Sequence, residues 1–76
     1  MSVIDDILLL LKNGEWCDLK EIAQKIAISP SKTLIILDFL AEFDFIHLNK
    51  NTEKVKLQQP IFKFMNDIQH LEYATT

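Results

Sequence analysis

The order of local folding signals between residues 17 and 60 constrains this chain more than any other feature of its sequence. Asp18 stands where a helix N-cap is expected, and Glu21 follows three residues later, which is the spacing of a capping box. An apolar stripe at helical spacing comes next: Leu19, Ile22, Ala23 and Ile26. After a short break, Ser29 is a second N-cap and Pro30 occupies the first helical position, where a missing N–H is harmless. Two short helices joined in this way predict a helix-turn-helix connection.

The residues that follow predict a longer helix and then a β-hairpin. The helix from Pro30 should run to about Phe43, with an inward face that comprises Leu34, Leu37, Leu40 and Ala41. The segments 45–49 and 54–58 each alternate apolar with polar residues, as half-buried strands do, and residues 50–53 form the loop between them. A hairpin therefore follows directly on the helix.

Helices are also predicted before and after this segment. The first runs from about Ser2 to Lys12 and is closed by Gly14 as its C′ residue. The last runs over residues 60–72, starts at Pro60, and carries another apolar stripe: Ile61, Phe64, Met65, Ile68 and Leu71. The sequence thus predicts a single domain over residues 1–76. Its fold class is mainly α with a small β-hairpin (α+β), in the order helix-helix-helix-strand-strand-helix.

Trp16 lies in the short link before the second helix. We expect its side chain to pack over the helix junction, and a short extended pairing with the hairpin can form beside it.

A chain of 76 residues is near the lower size at which a hydrophobic core suffices. A partner subunit that buries further apolar surface would therefore stabilise it.

Composition excludes several classes of protein. Half of the residues are hydrophobic, which argues against a disordered tail. The longest apolar run, Ile7 to Leu11, is too short to span a bilayer, and no signal-peptide pattern is present, so we expect a cytoplasmic protein without membrane contact.

The cysteine and histidines, Cys17, His47 and His70, show neither metal-ligand spacing nor a nucleophile-base signature, and Gly14 is the only glycine. We therefore expect no enzyme activity, cofactor, metal or small-molecule substrate.

The charge balance is mildly acidic, which counts against a surface built mainly to neutralise phosphates. The net charge is −3, arginine is absent, and eight lysines supply the positive charge. Three of the lysines lie in or beside the predicted hairpin loop, at positions 50, 54 and 56. Lysine without arginine, together with abundant isoleucine and asparagine, is also typical of an AT-rich genome. The missing arginine is therefore only moderate evidence against DNA binding.

One family combines these helix, turn and strand signals. The pattern rests on Leu19, Ile22, Ala23, Ile26, Ser29, Thr33, Leu34, Leu37, Leu40, Phe45 and Ile46. Through this pattern, residues 17–58 resemble the winged helix-turn-helix family of small prokaryotic, especially archaeal, transcriptional regulators. The resemblance implies a helix-turn-helix over 18–43, a wing over 45–58 and a C-terminal helix. Asp44 stands at the family's usual glycine, so we expect a strained or altered backbone there.

The resemblance implies a way of binding double-stranded DNA. The start of the third helix would enter the major groove, and the wing would lie on the flanking backbone. The residues that would then approach bases or phosphates are Ser29, Ser31, Lys32, Ile35 and Ile36 from the helix start, and Asn49, Lys50, Asn51, Thr52 and Lys54 from the wing. The same polar residues also suit an ordinary capped helix and a solvated hairpin loop. Both interpretations stay open.

The outer face of the third helix favours a second function. Ile35 and Phe39 are i, i+4 neighbours on the side opposite Thr33 and Leu37, with Ile36 at the border, so they form an outward apolar patch. Leaving each side chain in water would forgo about 2 kcal/mol of burial. Asp38 and Glu42 on the same helix would also repel phosphates. The alternative is therefore a protein-protein interaction module or adaptor subunit that binds its partner through this patch.

The last helix is more apolar than one narrow contact requires. In related small regulators a terminal helix commonly pairs two subunits, and a two-fold dimer is the commonest oligomer. We therefore expect a homodimer formed by this helix and part of the first, with Leu9, Phe62 and Met65 as contact residues beside Ile35 and Phe39 on the third helix. Alternatively, the last helix completes the monomer core or folds back over the Ile35–Phe39 patch.

Overall fold

The computed structural model describes residues 2–75, with side chains up to Ile68. Within this range the chain forms four helices and three strands, and the α+β class is confirmed. In chain order these are α1 (Val3–Leu10), β1 (Cys17–Asp18), α2 (Leu19–Ile26), α3 (Pro30–Glu42), β2 (Ile46–Asn49), β3 (Lys54–Leu57) and α4 (Gln59–Thr75). The order predicted from the sequence is therefore found, with one short strand added before α2.

The strands form an antiparallel sheet in the order β1-β3-β2, with β3 in the centre. In the predicted hairpin, Ile46 is opposite Leu57 and Asn49 is opposite Lys54. On the other side of β3, Cys17 pairs with Val55, which is the short extended pairing expected beside Trp16. Alternation along each strand sends one set of side chains to the helices and the other to solvent.

The core lies between the helices and one face of the sheet. Its fully or almost fully buried members are Ile7, Leu11, Leu19, Ile22, Ala23, Leu37, Leu40, Ile46, Val55 and Leu57. Every predicted helix supplies apolar side chains to it: from α4, Ile61, Phe62 and Met65 pack against its edge. The inward faces predicted for α2 and α3 are thus confirmed, with Ile26, Leu34 and Ala41 only half-buried.

Two helix ends differ from the sequence prediction. Helix α1 ends at Leu10 with Leu11 as its C-cap, so Gly14, with φ +77°, closes a separate turn after the helix. Asp18 is the N-cap of α2 as predicted, but its side chain makes no capping hydrogen bond. Instead, the N–H of Leu19 donates to the carbonyl of Glu53 at 2.8 Å. The predicted capping box is therefore not formed, and pairing with the hairpin satisfies the first N–H of the helix, a different donor from those that a capping box serves.

Helices α2 and α3 both end in a left-handed residue that is not glycine. Ala27 follows α2 with φ +59°, and Asp44 follows α3 with φ +62°. The N–H of Asp44 donates to Ala41 and that of Phe45 donates to Leu40, the hydrogen-bond pair of a Schellman motif. The altered backbone expected at Asp44 is thus confirmed, and it directs the chain from α3 into β2.

Helix α4 is only partly packed. It has 17 residues and so a length of about 25 Å. Its first two turns hold the side chains that contact the core, whereas Phe64 and Ile68 are exposed. The helix continues beyond the predicted end near residue 72, and the side chains of His70 and Leu71 lie outside the described ones. None of the described helices is both long and apolar enough to cross a membrane.

Candidate functional site

The start of α3 is exposed and fixed by its own cap. The hydroxyl of Ser29 accepts a hydrogen bond from the N–H of Lys32 at 3.3 Å, and Pro30 takes the first helical position, as predicted. Ser31 lies beside this cap, with its Oγ 3.4 Å from that of Ser29. Ser31 and Lys32 are both exposed. The first turn of α3 therefore presents a rigid polar surface to solvent.

The loop between β2 and β3 is ordered by one side chain. The Oδ1 of Asn49 accepts hydrogen bonds from the N–H groups of Asn51 (3.0 Å) and Thr52 (3.2 Å). Glu53 then takes a left-handed conformation with φ +54°, and its carbonyl binds the start of α2. Asn49 was predicted as a contact to a ligand; its amide oxygen instead serves the loop, which leaves its NH₂ group as the outward donor.

A groove brings these two segments together. It has a volume of about 380 Å³ and is lined by Leu19, Pro30, Ser31, Leu34, Leu48, Lys50 and Glu53. Of the predicted site residues, Ser31 and Lys50 thus face one another across it, while Lys32, Asn51, Thr52 and Lys54 are exposed outside its lining. Its floor is apolar because Leu34 and Leu48 are half-buried there. The fold therefore joins the two predicted parts of the site on one surface.

Lys50 is not available as a free charge on this surface. Its Nζ lies 3.0 Å from Oδ1 of Asp38 on α3, in an ion pair with side chains that are 65% and 45% exposed. Such pairs stabilise a fold by less than about 1 kcal/mol. The pair matters more for the charge of the groove than for stability, because the carboxylate of Asp38 offsets the positive charge of Lys50. This pair could not be predicted from local sequence patterns because it joins α3 to the hairpin loop.

The outer face of α3 carries the predicted apolar patch. Ile35 is 68% exposed and Phe39 is 50% exposed. The ring of Phe39 packs on that of Phe43, with 4.9 Å between centroids. Towards α1 the patch continues into a depression of about 430 Å³ lined by Ser2, Val3, Ile4, Ile35, Ile36 and Phe39. None of the side chains described for α4 lines it, so the last helix leaves the patch open over that range.

A second apolar groove lies between α1 and α4. Its volume is about 440 Å³, and it is lined by Asp5, Leu8, Leu9, Phe45, Ile61, Phe64 and Met65. Leu9 is 46% exposed and Phe64 is 60% exposed. Of the predicted contact residues, Leu9 and Met65 thus line this groove. Phe62 packs instead against Gly14, where a Cβ would approach its Cε1 to 2.9 Å.

A polar and aromatic cluster occupies the outer face of the sheet. Trp16 is 48% exposed there rather than packed over the helix junction, since the pairing of β1 carries it to the solvent side. The Nζ of Lys56 lies 5.2 Å from the centroid of the indole, within the range of a cation–π contact. The His47 ring lies 6.4 Å away, and its Nδ1 is 3.3 Å from Nε2 of Gln58. We did not predict this cluster from the sequence.

The Cys17 thiol is not activated. Burial, and after it the carboxylate of Glu21, raise the pKa of the Cys17 thiol, so the thiol stays protonated near neutral pH and is a poor nucleophile. Among the described residues, no three His, Cys, Asp or Glu side chains form a group that could hold a metal ion. The grooves and patches described above are the candidate sites.

Comparison of this chain with protein families, with curated proteins and with solved structures gives no match. Its function is therefore inferred from its own residues.

Proposed function

We propose that this chain is a winged helix-turn-helix module that binds double-stranded DNA as a transcriptional regulator. In this proposal α2 and α3 are the helix-turn-helix and the β2–β3 hairpin is the wing. The first turn of α3 would enter the major groove, and the hairpin loop would lie along the adjacent phosphates.

The observation that carries the proposal is the groove shared by α3 and the hairpin loop. Ser31 and Lys50 line it together, although they are far apart in sequence. A helix start contributes N–H groups and a positive dipole end, and the loop contributes amide donors, all of which suit phosphate oxygens. Lys50 adds a further donor, although Asp38 offsets its charge. Leu34 and Leu48, which line the groove between them, both pack against the hydrophobic core. A duplex could thus contact the helix start and the loop at once.

The test is the fluorescence anisotropy of a labelled random-sequence duplex, titrated with the protein at low and at moderate salt. Binding should weaken steeply with salt because phosphate contacts release counterions. Lys32→Glu should weaken binding at all sequences and reduce the salt slope by about 1, as expected for one phosphate contact. Lys63→Glu on α4 makes the same change of charge away from this surface and should bind as the unmodified protein does. Absence of binding at low salt would contradict the proposal.

A second candidate function is a protein-protein adaptor, which is favoured by the patch of Ile35, Phe39 and Phe43. An apolar surface on a helix suits a hydrophobic partner better than a phosphate backbone. The two functions predict different variants. Lys50→Glu with Lys54→Glu should abolish duplex binding and spare an adaptor, whereas Phe39→Asp should impair an adaptor most. If the duplex does not bind, the patch becomes the surface with which to isolate a partner.

We also propose that the protein is a homodimer through α1 and α4. A two-fold interface needs a projection and a matching groove on the same surface. Phe64 and Ile68 project from α4, and Leu9 and Met65 line the groove beside them. A dimer would also place two α3 helices on one duplex.

A further inference from the structure

We propose that the outer face of the sheet is a second nucleic-acid site, which binds unpaired nucleotides of single-stranded DNA with Trp16 as the stacking platform. Trp16 lies on a different face from the groove of α3, whereas Asn49, Thr52 and Lys54 of the hairpin belong to both proposed sites. The choice of DNA over other nucleic acid rests on the proposed function, because the same hairpin carries the proposed duplex contacts. The stacking chemistry itself does not depend on duplex binding.

The strand register places the side chains of this face in two rows. His47 is opposite Lys56 across β2 and β3, and Trp16 precedes the residue that pairs with Val55, so it extends the same row on the far side. The second row is made in the same way by Asp18, Lys54 and Asn49. Val55 and Leu57 alternate with the two lysines and point into the core. An aromatic ring, an imidazole, an amide and two ammonium groups thus share one solvent-facing surface.

The indole of Trp16 is held in place but open. Lys56 is positioned over its ring at 5.2 Å, and His47 lies beside it with its own ring fixed by Gln58. Half of the Trp16 surface is nevertheless exposed, at 48%. A large aromatic side chain that is oriented by neighbours and left in water is suited to stack against a flat ligand.

The space beside the indole has the chemistry of a nucleotide site. A depression of about 510 Å³ is lined by Trp16, Asn49, Thr52 and Lys54. The indole offers a π-face for a base, and Lys54 offers an ammonium for a phosphate. Asn49 keeps its NH₂ donors because only its oxygen serves the loop, and Thr52 adds a hydroxyl. This combination suits an unpaired base with its phosphate, whereas a paired base in a duplex would not expose its face to the indole.

Charge supports the same ligand. The protein has a net charge of −3, yet the two rows hold Lys54 and Lys56 against a single carboxylate, Asp18. Both ion pairs found in the described part of the chain involve other lysines, Lys25 and Lys50. Neither lysine of the sheet face is in one of these ion pairs, although Glu15 lines a depression together with Lys56, so Lys54 is the more available to an anionic strand.

The chain's only tryptophan makes the test direct. Titration with a fifteen-nucleotide oligothymidylate should quench the tryptophan fluorescence, which, under selective excitation of tryptophan, comes from Trp16 alone. In anisotropy with the labelled oligonucleotide, Trp16→Leu should weaken binding by about tenfold or more, as loss of one stacked base does. Trp16→Phe keeps an aromatic face and should retain most of the affinity. Circular dichroism of both variants should match the unmodified protein because the side chain is half exposed.

The experiment separates this site from the duplex site. Lys32→Glu should weaken duplex binding and leave oligothymidylate binding unchanged, whereas Trp16→Leu should do the reverse. The proposal is overturned if the oligonucleotide leaves the fluorescence unchanged, or if a duplex of equal length quenches it as strongly. Tighter binding of oligouridylate would overturn the assignment to DNA. Equal quenching by polyglutamate would mean that the face binds an acidic peptide instead.

Discussion

Among single residues, Thr33 is the buried polar side chain without a partner. It is fully buried inside α3, and its Oγ1 has no hydrogen-bond partner among the described groups. A buried hydroxyl that loses its water without compensation destabilises a fold by about 1–3 kcal/mol. Its place in the core therefore stabilises the protein through its methyl group and destabilises it through its oxygen.

Thr33→Val should accordingly raise the free energy of unfolding by about 1 kcal/mol, since valine has the same shape and no unsatisfied oxygen. Urea denaturation followed by circular dichroism measures the change. Thr52→Val on the exposed loop is the matched control and should change the free energy by less than about 0.5 kcal/mol. A less stable Thr33→Val would mean that the hydroxyl is hydrogen bonded in solution.

Single residues also show where sequence reasoning succeeds and fails. The special backbone at Asp44 was predictable because a strand follows the helix at once and the family pattern has glycine there. The similar φ of Ala27 and Glu53 was not predictable, since neither residue type favours the left-handed region. At Ala27 the conformation accompanies the hydrogen bonds that end α2, from Ala27 to Gln24 and from Ile28 to Ala23, and at Glu53 it accompanies a carbonyl that accepts from the N–H of Leu19. The residue types alone do not indicate these hydrogen bonds.

Among the secondary-structure elements, the docking of the hairpin on α3 decides how much charge the proposed duplex surface presents. The ion pair of Lys50 and Asp38 crosses between the two elements at 3.0 Å. It places a carboxylate where phosphates would approach. The same contact that helps to hold the hairpin therefore opposes the proposed ligand.

Asp38→Asn should tighten duplex binding because it removes the negative charge and releases Lys50. If Lys50 then contacts one further phosphate, the slope of log affinity against log salt steepens by about 0.9. Glu21→Gln is the matched control: it removes one carboxylate from the other ion pair, Lys25–Glu21, on α2. Salt-dependent anisotropy should therefore distinguish the two variants, and unchanged or weaker binding of Asp38→Asn would argue against the proposed duplex surface.

Elements were more predictable than the contacts between them. Ser29 and Pro30 signal a helix start within a few residues, and the alternation in residues 45–49 signals a strand, so both were found where expected. The two-residue strand β1 is too short to show any period, and so the exposed position of Trp16 could not be read from it. The pairs Lys50–Asp38 and Lys56–Trp16 likewise join segments that are distant in sequence.

For the molecule as a whole, the exposed apolar side chains of α4 are the feature that a monomer does not explain. Phe64 and Ile68 are exposed on α4 next to an apolar groove that the same surface provides. A second copy related by a two-fold axis would cover both.

Sedimentation equilibrium should therefore give the mass of a dimer at tens of micromolar. Phe64→Glu should give a monomer because it places a charge in the apolar contact. The neighbouring change Lys63→Glu alters an exposed polar residue of the same helix and should leave the dimer intact. A monomeric mass for the unmodified protein would contradict the dimer.

The order of strands in the sheet also has a consequence for biosynthesis. The central strand β3 is the last of the three along the chain, so a ribosome has completed β1 and β2 before their common partner exists. The helices α1 to α3 have mostly local contacts and can assemble first, as local contacts generally do. A translation product that stops before Lys54 would contain every residue that lines the α3 groove, but it would lack the strand that pairs with β2 and completes the hairpin. The nascent protein thus becomes competent to bind only when its central strand emerges.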